Sequence, residues 1–112
     1  MSQDCLFCKI IRKEIPAKIA FEDDQVLAFH DIQPAAPVHV LFVPKKHVAS
    51  VVHVPAYDPV VSILSDRAVK TAEKLGVSKT GFRHIMNYGS DAGQTVDHLH
   101  LHLLGGARLP HF

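Results

Sequence analysis

No charge of either sign predominates in this chain: 12 Lys and Arg stand against 11 Asp and Glu, a formal net charge of +1. That balance gives no broad electrostatic footprint for duplex nucleic acid or an anionic membrane, and leaves only local anion binding open. Long apolar runs are missing as well. The opening Met1-Ser-Gln-Asp-Cys has neither a positive n-region nor an extended apolar segment, so no signal peptide or transmembrane helix is expected and the cytoplasm is the expected location. No repeat, low-complexity stretch or linker interrupts the 112 residues, of which 47% are hydrophobic and 21% charged. Such a chain is one compact domain, residues 1–112, with no room for a second. Its core is adequate but not generous, and burying a further face in a homodimer is a natural way to gain stability.

Cysteine is equally scarce, with Cys5 and Cys8 alone. Their C-x-x-C spacing in a cytosolic chain favours metal binding or redox chemistry over a structural disulfide. A thioredoxin-like motif needs a preceding strand, and only four residues precede Cys5. Zinc is therefore the better expectation, the plainer alternative being two small buried residues on a first helix. A closed zinc site needs two further N or S donors, and nine histidines are available.

What the chain does have is His98-Leu99-His100-Leu101-His102-Leu103-Leu104. Strict alternation on a strand sends the three imidazoles to one face and leucines to the other. At a rise of ~3.3 Å per residue the first and third lie ~13 Å apart at their Cα atoms, so one small substrate could touch all three. Imidazole is largely neutral at physiological pH, available as nucleophile, base or metal ligand. The bland alternatives are a solvated strand whose outward positions happen to be histidine, or an incidental metal-binding tract.

Around this strand the pattern predicts an α+β domain with a mainly antiparallel sheet of about five strands, one long helix and a short N-terminal helix. Residues 5–13 read as the short helix with Asp4 as a possible N-cap. Ile19–Glu22 and Gln25–Asp31 read as a hairpin around Asp23-Asp24, and Val38–Pro44 as a central strand apolar on both faces. From about Asp58 to Leu75, Val60, Val61, Leu64, Ala68 and Ala72 recur at helical spacing until Gly76. Phe82–Tyr88 and about Val96–Leu104 complete the strands. His53, His84 and His111 are read as surface or partly buried residues without a role.

Between the last two strands, Asn87-Tyr88-Gly89-Ser90-Asp91-Ala92-Gly93-Gln94-Thr95 delivers polar, small and flexible groups beside the histidines. Gly93 permits close backbone approach to an anion, while the Asn87 amide, the Thr95 hydroxyl and backbone N–H groups can donate to phosphate oxygens. An ordinary hairpin loop would satisfy the same residues.

H-x-H-x-H followed by two apolar residues and Gly105-Gly106 resembles the signature of the histidine triad family. Residues 9–15 (KIIRKEI), Phe29-His30-Asp31-Ile32, Pro34-Ala35-Ala36-Pro37, Val43-Pro44-Lys45-Lys46-His47 and Asn87 resemble its nucleotide-binding branch, and the match covers nearly the whole chain. The resemblance implies a homodimeric hydrolase of purine nucleoside 5′-phosphoramidates, derivatives of AMP or GMP, acting at the α-phosphorus through a covalent nucleotidyl-histidine. His100 would be the nucleophile. His102 or His39 would protonate the leaving amine, a role typically worth 10²–10⁴-fold. Asn87, Gly93, Thr95 and His102 would hold the phosphate. Asp31 would bind the ribose hydroxyls, and Phe7, Ile10, Phe29, His30 and Ile32 would form an apolar slot for the base.

Thr95 stands where the family pattern often has Ser, which keeps the hydroxyl. Some bacterial members pair the C-x-x-C with the histidine after Pro-Lys-Lys and with the first triad histidine, which implies a zinc set of Cys5, Cys8, His47 and His98. Core packing would equally explain Phe7, Phe29 and Ile32, and a loop cap would explain Asp31. Three rival functions stay open: a dinucleoside polyphosphate hydrolase of the same superfamily, a nucleotide-binding scaffold with incidental hydrolysis, and a metal-storage or metal-sensing module.

Overall fold

The computed structural model describes residues 5–111. In chain order the elements are α1 (Leu6–Ile11), β1 (Ile19–Glu22), β2 (Val26–His30), β3 (Val38–Pro44), α2 (Val60–Lys74), β4 (Phe82–Ile85) and β5 (Leu101–Gly105), with short 3₁₀ turns at Val51–His53 and Ser90–Ala92. The five strands form one sheet in the order β1-β2-β3-β5-β4, every neighbouring pair antiparallel. The α+β expectation holds, with its five strands, long helix and short first helix.

The sheet carries a core on each face, because β3 is apolar on both. Val40 and Phe42 join Val26, Ala28, Leu101 and Leu103 beneath Leu64, Ala68 and Ala72 of α2. On the opposite face Leu41 and Val43 join Leu27 and Phe29 against Phe7 and Ile10 of α1. A six-residue helix is too short to be stable alone, so α1 depends on that packing. Cys5 is its N-cap, its Sγ accepting the Cys8 N–H at 3.4 Å. Asp4, the expected cap, lies outside the described residues.

The β1–β2 turn is closed by Asp23, whose Oδ1 accepts the N–H groups of Gln25 and Val26 at 2.9 and 2.8 Å. Its Oδ2 accepts from Arg67 Nε at 2.8 Å, tying the turn to α2. At the start of α2, Asp58 Oδ1 takes the Val60 N–H at 3.0 Å, which stops the helix short of the expected Asp58.

Both strands that lead into the candidate site are shorter than their side-chain patterns suggest. β4 ends at Ile85 instead of Tyr88, and β5 begins at Leu101 instead of about Val96. The β3–β5 ladder stops at Phe42↔Leu101. Beyond it β3 offers Pro44, which has no N–H to extend a ladder and whose carbonyl is taken by the His98 ring at 2.9 Å. Leu99 N–H turns instead to the Val48 carbonyl at 2.6 Å. His98 and His100 therefore sit on an irregular approach to the strand, and only His102 is on the ladder.

Candidate functional site

The shortened strand divides the three imidazoles. His98 is 0% exposed, so no substrate can touch all three. Its Nε2–H donates to Pro44 O, which leaves Nδ1 as a lone pair facing a second set of residues. That Nδ1 lies 3.4 Å from Cys5 Sγ, 3.5 Å from Cys8 Sγ and 3.1 Å from His47 Nδ1. Cys8 Sγ is 3.3 Å from His47 Nδ1.

A tetrahedral ion bonded at about 2.0–2.3 Å requires ligand-to-ligand edges of about 3.3–3.8 Å. The four ligand atoms, all within 4.8 Å of one another, fit one metal ion. Burial, foremost, with His47 and His100 nearby, pushes His98 down to about 4, so its ring is neutral as a ligand must be. Burial also raises the Cys5 thiol above its ordinary value, a bias that a cation at this point would reverse.

His100 meets a different partner. Its Nδ1–H donates to the His98 carbonyl at 2.7 Å. Since a carbonyl can only accept, the proton is on Nδ1 and the lone pair is on Nε2. The Phe7 ring packs edge-on against the imidazole at a centroid distance of 5.1 Å, fixing its plane. An imidazole with an oriented second nitrogen and a free Nε2 lone pair is a nucleophile in form.

His102, 5.0 Å from His100 between ring centroids, is held in the opposite tautomer. The Ala35 N–H donates to His39 Nδ1 at 3.0 Å, so His39 carries its proton on Nε2. That Nε2–H donates to His102 Nδ1 at 2.9 Å, which leaves His102 with its proton on Nε2. This last nitrogen is buried and has no hydrogen-bond partner among the described residues. Burial, then the neighbouring His100 and His39, push His102 down to about 4, so at neutral pH it is an uncharged donor. An unsatisfied buried N–H is unfavourable by about 1–3 kcal/mol until a ligand oxygen meets it.

Burial likewise lowers His39, with the Asp31 carboxylate 3.6 Å from its Nε2 acting in opposition. Asp31, His39 and His102 also bring ligand atoms within 4.8 Å of one another. The Ala35 N–H argues against a metal there, since it commits the His39 lone pair to Nδ1 and the proton to Nε2.

The other expected residues are gathered less completely. Phe7 and Phe29 meet edge-on at 5.4 Å and share a buried cluster with Ile10. His30 is half-buried at the end of β2, whereas Ile32 is 94% exposed. Asp31 Oδ1 accepts the Gln33 N–H at 2.8 Å, the loop-cap arrangement, which leaves Oδ2 towards His39.

The β4–β5 register ends at Ile85↔His102, and Asn87, two residues beyond it, is half-buried. Gly93 and Thr95 are exposed in the following loop. Gly93 has φ +80 and open space around its Cβ position, so its need is conformational. Its N–H donates to Ser90 O at 3.0 Å and is occupied in closing the turn, not free for an anion. His84, assigned no role from sequence, keeps a buried Nε2 without a partner among the described residues, on the edge strand β4.

The groups that set these tautomers, namely the Ala35 N–H and the carbonyls of Pro44 and His98, are not visible in the sequence, because main-chain atoms leave no side-chain signature. Gln94 shows in the sequence only as one polar residue among several.

The HIT domain family model matches residues 12–109. The chain is 43% identical over 110 residues to the purine nucleoside phosphoramidase of Escherichia coli strain K12, covering 97% of this chain and 92% of that one. It is 48% identical over 107 residues to an uncharacterised HIT-like protein of a Synechocystis species, covering 95% and 93%. Among solved structures, a histidine triad protein from Clostridium difficile superposes with a TM-score of 0.95 at 49% identity, covering 98% of this chain and 96% of that one.

Proposed function

The chain belongs to the HIT domain family, and on that premise we propose that it is a hydrolase of purine nucleoside 5′-phosphoramidates, acting through a covalent nucleotidyl-histidine on His100. The observation that carries this reading is the pair of opposed tautomers, a free Nε2 lone pair on His100 beside an unpartnered Nε2–H on His102. One is suited to attack phosphorus and the other to donate to what surrounds it.

In the first half-reaction His100 Nε2 attacks the α-phosphorus in line as the P–N bond breaks. The leaving amine takes up a proton supplied from solvent by way of the His102–His39 pair, both rings ending with the single proton they began with, and the Asp31 carboxylate is the counter-charge while that proton passes. His102 Nε2–H, Asn87 and the loop of Gly93 and Thr95 take up the charge on the non-bridging oxygens. In the second half-reaction water attacks the same phosphorus as the P–Nε2 bond breaks, its proton leaves to solvent by the same route, and the nucleoside monophosphate departs with the His100 lone pair restored. Asp31 holds the ribose, and Phe7, Ile10, Phe29, His30 and Ile32 the base. The identity with a purine nucleoside phosphoramidase supports the substrate class.

We assign the donor set Cys5, Cys8, His47 and His98 to a structural zinc ion, which two sulfurs and two imidazoles suit. It would tether α1 to the approach to β5. A homodimer is the proposed assembly, supported by the edge position of β4, its four half-buried residues and the orphaned His84 Nε2. No helix of the described residues is long and apolar enough to cross a membrane, and Cys5 and Cys8, which are not joined in a disulfide, suit the reducing cytoplasm.

Intact-protein mass spectrometry after an acid-free quench with a purine nucleoside phosphoramidate tests the reading. The wild type should gain the mass of one nucleotidyl group, and His100→Ala should gain none. A wild type with neither adduct nor turnover refutes it.

A further inference from the structure

We propose that Gln94 is a positioning residue for this reaction: its carboxamide holds the Gly89–Thr95 loop in fixed relation to His100. The inference rests on the phosphoramidate reading above, in which that loop receives the phosphate.

Gln94 uses both N–H groups and the carbonyl oxygen of its carboxamide. Its Oε1 accepts the Gly89 N–H at 3.0 Å, and its Nε2 donates to the carbonyls of Ala49 at 3.1 Å and Val96 at 3.2 Å. Its own N–H donates to Gly89 O at 3.0 Å, so residues 89 and 94 are joined twice and the loop between them is closed. Gly89 at φ +83 and Gly93 at φ +80 supply the turns that closure requires.

The two carbonyls lead to the reacting group. Val96 O also accepts the His98 N–H at 2.9 Å, and His98 O accepts from His100 Nδ1 at 2.7 Å. Ala49 follows Val48, whose carbonyl holds the Leu99 N–H at 2.6 Å. The loop and the residues flanking the nucleophile are thus anchored to the same two stretches of backbone through one half-buried side chain. No other residue type of this size presents one acceptor and two donors in this plane. Glutamate keeps the acceptor and loses both donors.

In-line attack needs the phosphorus about 3–3.5 Å from the nucleophile, and a misplacement of about 1 Å is worth on the order of 10²-fold in rate. Loosening the loop should therefore act on the chemical step more than on binding.

The experiment compares wild type, Gln94→Glu and Gln94→Ala on a purine nucleoside phosphoramidate, with amide hydrogen exchange on each. Leu64→Ala, a core change remote from the site, serves as a control for lost stability without lost positioning. The expected result is a kcat lower by on the order of 10–10²-fold in both Gln94 variants, a smaller change in KM, and, in Gln94→Ala, faster exchange at the amides of residues 89 and 94. Leu64→Ala should keep the wild-type kcat at a temperature where it is folded.

Gln94 variants that turn over within about twofold of wild type, or fall no further than Leu64→Ala, overturn the inference while the phosphoramidate reading stands. Undiminished protection of the residue 89 and 94 amides in Gln94→Ala, which loses the acceptor and both donors, overturns it whatever the substrate. A wild type that hydrolyses no phosphoramidate overturns the functional reading, and the catalytic part of this inference with it.

Discussion

Replacing His102 by glutamine should remove a defined share of the fold's sensitivity to acid. Burial, with His100 and His39 adding to it, pushes His102 down to about 4, whereas an unfolded chain holds histidine near 6.5. As pH falls below about 6.5 the unfolded state takes up a proton that the folded state refuses until about pH 4. Stability from this group is therefore complete above the unfolded value, declines as pH drops between the two, and is constant again below the lower one. At about pH 4.5 the linkage amounts to about 2.5 kcal/mol. Glutamine does not titrate, and its Oε1 can still accept from His39. Urea unfolding of both proteins at about pH 7.5 and about pH 4.5 isolates the effect, because the other buried histidines contribute equally to each. The wild type should lose about 2–3 kcal/mol more than His102→Gln over that interval. Parallel losses, within about 0.5 kcal/mol, would show that His102 is not held neutral by its surroundings.

Two further outcomes follow from the packing and from the metal cluster. Leu64 is 0% exposed at the centre of the contact between α2 and the sheet, so Leu64→Ala should lower the unfolding free energy by about 2–5 kcal/mol. A urea midpoint shifted by less than the equivalent of about 1 kcal/mol would mean that the core there is not as closely packed as it looks. Cys8→Ser removes one of the two sulfurs of the proposed zinc site, and should abolish stoichiometric zinc measured by atomic emission and lower the thermal midpoint. Zinc retained at one equivalent per chain would reject the four-residue set.

How far the fold could be read from sequence varies along the chain for identifiable reasons. Val38–Pro44 was expected and is observed residue for residue, because a run apolar on both faces has only the centre of a two-faced sheet to occupy. The long helix was overestimated by two residues at its start, where Asp58 looks like part of the helix but caps it from outside. Larger misjudgements fall at the site-facing ends of β4 and β5. An alternating pattern records where side chains point, and says nothing of whether a neighbouring strand still offers N–H and C=O groups. At Pro44 it does not, and the pattern of His98 to Leu104 outlasts the strand it describes.

The same distinction governs the candidate site. H-x-H-x-H announces imidazoles at regular spacing, and the spacing alone treats them as equivalent. What separates them is the group that each ring's other nitrogen meets. The Pro44 carbonyl leaves His98 with an Nδ1 lone pair facing two sulfurs. The His98 carbonyl leaves His100 with a free Nε2 lone pair. His39, itself set by the Ala35 N–H, leaves His102 with an unpartnered Nε2–H. Three identical side chains thus become a lone pair facing two sulfurs, a lone pair suited to attack and a hydrogen-bond donor, and two of the three assignments are made by main-chain carbonyls. A backbone carbonyl is present at every residue and can act only where the fold bends the chain towards a ring. The departure of residues 96–100 from the regular strand is therefore the feature that gives the triad its separate chemistries, since on an unbroken ladder the His98 and Pro44 carbonyls would be spent on strand pairing.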